Sequence, residues 1–133
     1  MEQTSNQPET LNQDPQFRIY LSGQITNLLI EEAYLNFEKA EKEAINLFSK
    51  CTIVVAPLTP KTHPIILKVI NPMKLEHKES ADWEDYMEKD ISELLRCQGI
   101  YMLNNWKNSR GARIEYAIAL ELGLPIIYQL PML

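Results

Sequence analysis

Gly99-Ile100-Tyr101-Met102-Leu103-Asn104-Asn105-Trp106-Lys107-Asn108-Ser109-Arg110-Gly111-Ala112-Arg113-Ile114-Glu115-Tyr116 reads as a strand, a polar loop and the start of a helix. The first five residues are continuously apolar and β-favouring, which is how a strand buried on both faces of a parallel sheet reads. The helix spans Ala112 to Leu122, closed by Gly123 and followed by Pro125 as a stop signal. Glu115 shares a face of it with Ile118, Ala119 and Leu122. Ligands of open α/β sheets bind outside the carboxyl ends of the strands, where this loop and first helical turn belong. Glu115 is therefore a candidate for chemistry. The competing reading is a helix-start carboxylate complementing the macrodipole, worth a few tenths to about 1 kcal/mol.

A second carboxylate sits in a similar setting. Ser80 to Cys97 carries Trp83, Met87, Ile91, Leu94 and Leu95 at helical spacing, and an angular count at about 100° per residue puts Asp90 near the centre of that stripe. Asp82, Glu84, Asp85, Glu88 and Glu93 fall on its flanks and read as solvated. An ionised Asp90 among apolar neighbours has to be paired, hydrogen-bonded or facing a cleft; an Asp capping a neighbouring loop is the plainer option. Two such carboxylates at one sheet edge suit a division between nucleophile and acid/base roles.

Phe17-Arg18-Ile19-Tyr20-Leu21 is a short apolar strand, followed by the polar loop Ser22-Gly23-Gln24-Ile25-Thr26-Asn27. Gly23 permits close backbone approach to a ligand, and the loop amides suit an anion. Tyr20 either presents its phenol to the crevice or is a core residue. A helix over about Ile30 to Lys50 carries Phe37, Ala40, Ala44, Leu47 and Phe48 as its core stripe. Further strands are read at Val69–Asn71 and Pro125–Tyr128.

The ordered elements Tyr20-Leu21-Ser22-Gly23, Tyr34 to Phe37 with Ala40-Glu41, Val69-Ile70-Asn71-Pro72, Trp83-Glu84-Asp85-Tyr86-Met87, Asp90-Ile91, Leu94-Leu95, Cys97, Ile100 to Leu103, and Trp106 with Ser109 to Glu115 carry a resemblance. From Phe17 to Tyr128 the chain resembles an uncharacterised bacterial and phage family of the nucleoside 2-deoxyribosyltransferase-like superfamily, to which the deoxynucleoside 5'-monophosphate N-glycosidases also belong. The resemblance implies a flavodoxin-like three-layer α/β sandwich with a mostly parallel sheet of about five strands, and cleavage or transfer at an N-glycosidic bond without a cofactor. It implies that Glu115 is the nucleophile attacking the anomeric carbon, that Asp90 assists the base or orients the nucleophile, and that Tyr20 holds the nucleophile. It further implies that Ser109 and Gly111 bind a 5'-phosphate and that Gly23 is the first-loop glycine; Ser22 and Arg110 are the remaining candidate substrate-binding residues. Gln98 and Asn104-Asn105 depart from the family pattern, so base choice is not readable. A non-catalytic nucleotide-sensing module of the same fold is the alternative.

The 133 residues, 45% of them hydrophobic, suffice for one domain with an ordinary core. Residues 1–16 hold four Gln, two Asn and two Pro without apolar period and read as a disordered tail, leaving 17–133 as the domain. Cys51 to Leu67, with Ile53-Val54-Val55 and Pro57, Pro60 and Pro64, reads as an insertion forming an extra strand or a flap. Neither a signal peptide nor a membrane-spanning apolar run is present, so a cytoplasmic location is expected, with Cys51 and Cys97 as reduced thiols. A net charge of -5 argues against nucleic acid as partner. Lys107, Arg110 and Arg113 around Ser109–Gly111 then form either a local phosphate site or a solvated basic cluster. His63 and His77 lack metal-ligand spacing and read as loop residues. The apolar end from Gln129 to Leu133 suits docking on a neighbouring subunit, so a homo-oligomer is expected.

Overall fold

The computed structural model describes residues 16–49 and 66–131. These form an α/β domain with four strands and three α-helices: β1 (Gln16–Ser22), α1 (Ile30–Ser49), β2 (Ile66–Ile70), α2 (Trp83–Leu94), β3 (Gly99–Met102), α3 (Arg110–Leu122) and β4 (Ile126–Tyr128). Short 3-10 turns at Pro72–Lys74 and Trp106–Asn108 precede α2 and α3. The strands lie in the order β2-β1-β3-β4 and all pair in parallel, Ile19 beside Gly99 and Ile100 beside Ile126.

Alternation along β1 builds two cores. Ile19 and Leu21 point to one face and pack with Phe37, Ala40 and Ala44 of α1; Tyr20 points to the other, with Leu94 of α2 and Ala119 of α3. Helices thus cover both faces, the flavodoxin-like three-layer arrangement, and β3 is buried at all four positions, as its unbroken apolar run requires. The chain leaves β1 for β2 on one side and returns to β3 on the other, so the sheet's switch point lies between the carboxyl ends of β1 and β3.

Element boundaries follow their caps. α2 starts at Trp83 rather than near Ser80, because Asp82 is its N-cap: Asp82 Oδ1 accepts the Asp85 amide at 2.9 Å and Asp85 Oδ2 accepts the Asp82 amide at 3.1 Å. Asp82 and Asp85, read as solvated, are exposed and also start the helix. α3 starts at Arg110, two residues early, because Ser109 Oγ accepts the Ala112 amide at 3.1 Å. Removing that acceptor in Ser109→Ala is expected to cost about 1 kcal/mol in urea unfolding, with the slope unchanged. At the other end Gly123 takes the left-handed conformation (φ 70°), as its C-terminal placement predicts.

Leu47, expected in the core stripe of α1, is instead 46% exposed; it follows Phe37, Ala40 and Ala44 in spacing, but only Phe48 packs inward in the last turn. β2 begins at Ile66, so the end of the expected insertion is sheet, and Asn71 caps the 3-10 turn with its side chain accepting the Met73 amide. Gln16, placed in the polar tail, pairs with Ile66 at the start of β1. The rest of that tail, the segment with Ile53-Val54-Val55, Cys51 and His63, Lys50, and the last two residues lie outside the described residues. No helix among the described residues is long and apolar enough to cross a membrane.

Candidate functional site

Tyr20 and Ser22 project from the same face of β1, one pleat apart, towards the start of α3. There Ala112, Glu115 and Ala119 form the buried face of the helix, so Glu115 is carried inward by the same period that packs its neighbours. The Tyr20 phenol donates to Glu115 Oε2 at 2.8 Å and the Ser22 hydroxyl donates to Oε1 at 2.7 Å. Both carboxylate oxygens are held, and Glu115 is 5% exposed.

Burial of an ionised carboxylate costs several kcal/mol, against roughly 1.5–3 kcal/mol for each hydrogen bond to a charged group. Burial wins. It pushes the Glu115 carboxyl up to about 8, the Ser22 and Tyr20 donors pulling down and the nearby Asp90 charge pushing up. Burial and then Glu115 also raise Tyr20 well above the ordinary phenol range, so it stays a proton donor to Glu115. Asp90 lies on the buried face of α2 with Met87 and Leu94, as the helical count predicts, and is 7% exposed. Burial raises it to about 7, with Lys89 pulling the other way.

The two acids open on one cavity of about 600 Å³ at the carboxyl edge of the sheet. Tyr20, Gly23, Asp90, Ser109, Gly111 and Glu115, six of the eight residues singled out from the sequence, line it. Ser22 is fully buried behind Glu115, its hydroxyl committed to the carboxylate rather than to a ligand. Arg110 sits outside, its guanidinium stacked 4.4 Å from the centre of the Trp83 ring, and Trp83 is itself a wall of the cavity. Of the other two basic residues, Arg113 donates to the Lys107 carbonyl at 2.7 Å and Lys107 lies over Trp106.

The glycines serve packing first. A Cβ on Gly23 would lie 2.8 Å from Leu103 Cβ, so Gly23 lets the first loop close on the end of β3; a Cβ on Gly111 would lie 2.9 Å from Met87 Sδ, where α3 crosses α2. Both still present backbone to the cavity. At the start of α3 the Arg110 and Gly111 amides have no acceptor inside the helix, which leaves donors for an anion. Asn105 Oδ1 accepts the Gln24 amide and Gln98 Oε1 accepts the Arg18 amide, so these departures from the family pattern have structural duties.

His77, read from sequence as a loop residue, lines the cavity with its side chain only 11% exposed, and its Nε2 lies 3.7 Å from Asp90 Oδ1. No periodicity marks a histidine in an irregular loop. Its one signal is proximity to Trp83 and Tyr86 in an otherwise charged segment. Among the described residues no group of three or more His, Cys, Asp or Glu is placed to hold a metal ion.

The acid pair makes stability pH-dependent. In the unfolded chain the two carboxyls titrate near 4.5 and 3.8, in the folded chain near 8 and 7. The folded state holds these protons to higher pH, so their contribution is intact below about pH 4 and is lost as pH rises towards 8. Glu115→Gln keeps an acceptor for one of the Tyr20 and Ser22 hydroxyls, gives the other an amide N–H to accept from, and cannot ionise. It is expected to stabilise the fold by on the order of a few kcal/mol at pH 8.5 and far less at pH 5, read by thermal unfolding.

The fold and this cavity define a flavodoxin-like α/β domain with a buried carboxyl pair at its switch point. Residues 17–128 match the family described as Domain of unknown function (DUF4406), and the chain belongs to that family. No curated protein matches the chain.

Proposed function

We propose that this protein cleaves or transfers at the N-glycosidic bond of a deoxynucleoside or its 5'-monophosphate, with Glu115 as nucleophile and Asp90 as acid and base. The observation that carries this reading is the Glu115 carboxylate, buried yet gripped at both oxygens by Tyr20 and Ser22, facing a cavity that a second buried acid shares. A structural carboxylate has no need of an opening towards a second buried acid. The resemblance between Phe17 and Tyr128 favours this chemistry over other uses of two carboxyls.

In the first step a Glu115 oxygen bonds to the anomeric carbon, the carbon–nitrogen bond breaks, and the leaving base takes the electron pair and a proton from Asp90. Without substrate the pair's last proton rests mainly on Glu115, the higher of the two. Positive charge developing on the sugar favours ionised Glu115, which alone of the two acids has hydroxyl donors, so the reacting form is the one with that proton on Asp90. In the second step water, or an acceptor base, gives a proton to Asp90 and bonds to the anomeric carbon, releasing Glu115. The free amides at the start of α3, with Ser109 and Gly111 in the cavity wall, suit a 5'-phosphate, and Arg110 adds positive charge at Trp83.

Release of free base from a panel of ribo- and deoxyribonucleosides and their 5'-monophosphates, with and without an acceptor base, tests this. The expected result is release from deoxy substrates, and acceptor dependence separates transferase from hydrolase. No release, together with a thermal shift on adding nucleotide, would replace the enzyme by a nucleotide-sensing module. Homo-oligomer formation belongs to the same reading; Leu130 at the apolar end is 84% exposed. A monomeric mass in sedimentation would remove it.

A further inference from the structure

Asp90 Oδ1 and His77 Nε2 are both sealed from solvent, and neither has a hydrogen-bond partner. They lie 3.7 Å apart, beyond a hydrogen bond, and no other group satisfies either. Buried orphan polar atoms are uncommon and call for a reason.

The surroundings hold the imidazole in this pose. Its ring lies on Tyr86, centroids 4.1 Å apart at 31°. Tyr86 and Asp90 are one turn apart on α2, so the loop carrying His77 folds back along the helix and lies beside the carboxylate. Among the described residues no hydroxyl or amide donor is bonded to Asp90 Oδ1, whereas Glu115 has two. An acid that has to release and regain a proton needs something to receive its charge.

We propose that His77 is the positioning residue of Asp90: its Nε2–H closes onto Oδ1 when Asp90 is ionised, fixes the carboxylate with its other oxygen available to the cavity, and stabilises the anion left after proton donation. This rests on the acid/base role given to Asp90 above. The imidazole keeps its own proton throughout. The leaving base takes the Asp90 proton as the carbon–nitrogen bond breaks, the Asp90 anion pairs with Nε2–H, and water restores the proton as it bonds to the anomeric carbon. Nucleophile, base and orienting third group is a recurring arrangement in covalent catalysis. The other groups whose charge Asp90 meets are Glu115 on α3, Tyr20 on β1 and Lys89 on its own helix.

His77→Phe keeps a flat ring for Tyr86 and removes the donor; His77→Gln loses the ring and returns an N–H. The direct test is the Asp90 carboxyl titration by carbon NMR on the full chain without substrate, assigned with Asp90→Asn. In His77→Phe the midpoint is expected to rise by about one pH unit, and in His77→Gln to return most of the way. An unmoved midpoint in folded His77→Phe would overturn the proposal; if that variant does not fold, His77→Leu carries the same test. In turnover, His77→Phe is expected to lower kcat about ten-fold with KM within about two-fold, and to add no loss in an Asp90→Asn background. A full additional loss there would also overturn it. Absence of base release in wild type defeats the glycosidase reading alone, because the NMR titration needs no turnover.

Discussion

Replacing Glu115 by alanine is expected to lower base release at least about a thousand-fold with the fold retained. The chemical reason is that in the proposed mechanism the carboxylate supplies the bond that splits one difficult displacement into two steps. The structural reason is a near balance. Alanine leaves the Tyr20 and Ser22 hydroxyls without their acceptor, roughly 1–3 kcal/mol for each unsatisfied buried group, but removes a carboxyl that burial has pushed up to about 8. Glu115→Gln separates the two reasons. It preserves an acceptor for one hydroxyl and offers an amide N–H to the other, which turns to accept, and it is expected to be as inactive as alanine while melting higher at alkaline pH. Turnover within about ten-fold of wild type in either variant would remove Glu115 as nucleophile.

Asp90→Asn is expected to reduce kcat about a hundred-fold with a much smaller change in KM, and to alter the shape of the pH profile. The proposed reaction needs one proton on the acid pair: none leaves the base without its proton, two leave no nucleophile. With the pair titrating near 7 and 8, kcat/KM of the free enzyme is expected to be bell-shaped with its maximum between those values, the two limbs belonging to the pair as a whole. Asparagine cannot give up a proton, so the alkaline limb disappears. Only Glu115 is then left to titrate, and because the pair loses its first proton mainly from Asp90, the acid limb moves from near 7 to higher pH, short of 8 because the Asp90 charge that raises Glu115 is gone. A substrate carrying a leaving group that needs no protonation should recover most of the lost rate. Failure of both limbs to change would contradict the division of roles.

The periodic parts of this molecule were legible in its sequence. β3 could be read from five apolar residues in a row, and Asp90 and Glu115 stood out because a helical count put each among apolar neighbours, where the structure buries them. What periodicity does not carry is contact between elements far apart in the chain. Ser22 and Glu115 are 93 residues apart, and the hydroxyl that looked free for a ligand belongs to the carboxylate. Gly23 was legible as a close approach, but its neighbour is Leu103. Cap residues were the other blind spot: Asp82 and Asp85 have the composition of a solvated face, and only their mutual backbone bonds make them a helix start. His77 escaped because its position depends on an irregular loop folding back on α2.

The proposed mechanism turns on a covalent bond between Glu115 and the sugar. Acid quenching during turnover of a deoxynucleoside or its 5'-monophosphate, followed by intact and peptide mass measurement, tests it most directly. The expected result is a mass increment of one deoxyribosyl unit, or of its 5'-phosphate, on the peptide carrying Glu115 and none in Glu115→Ala. Base release without an adduct in wild type, persisting in Glu115→Ala, would contradict it.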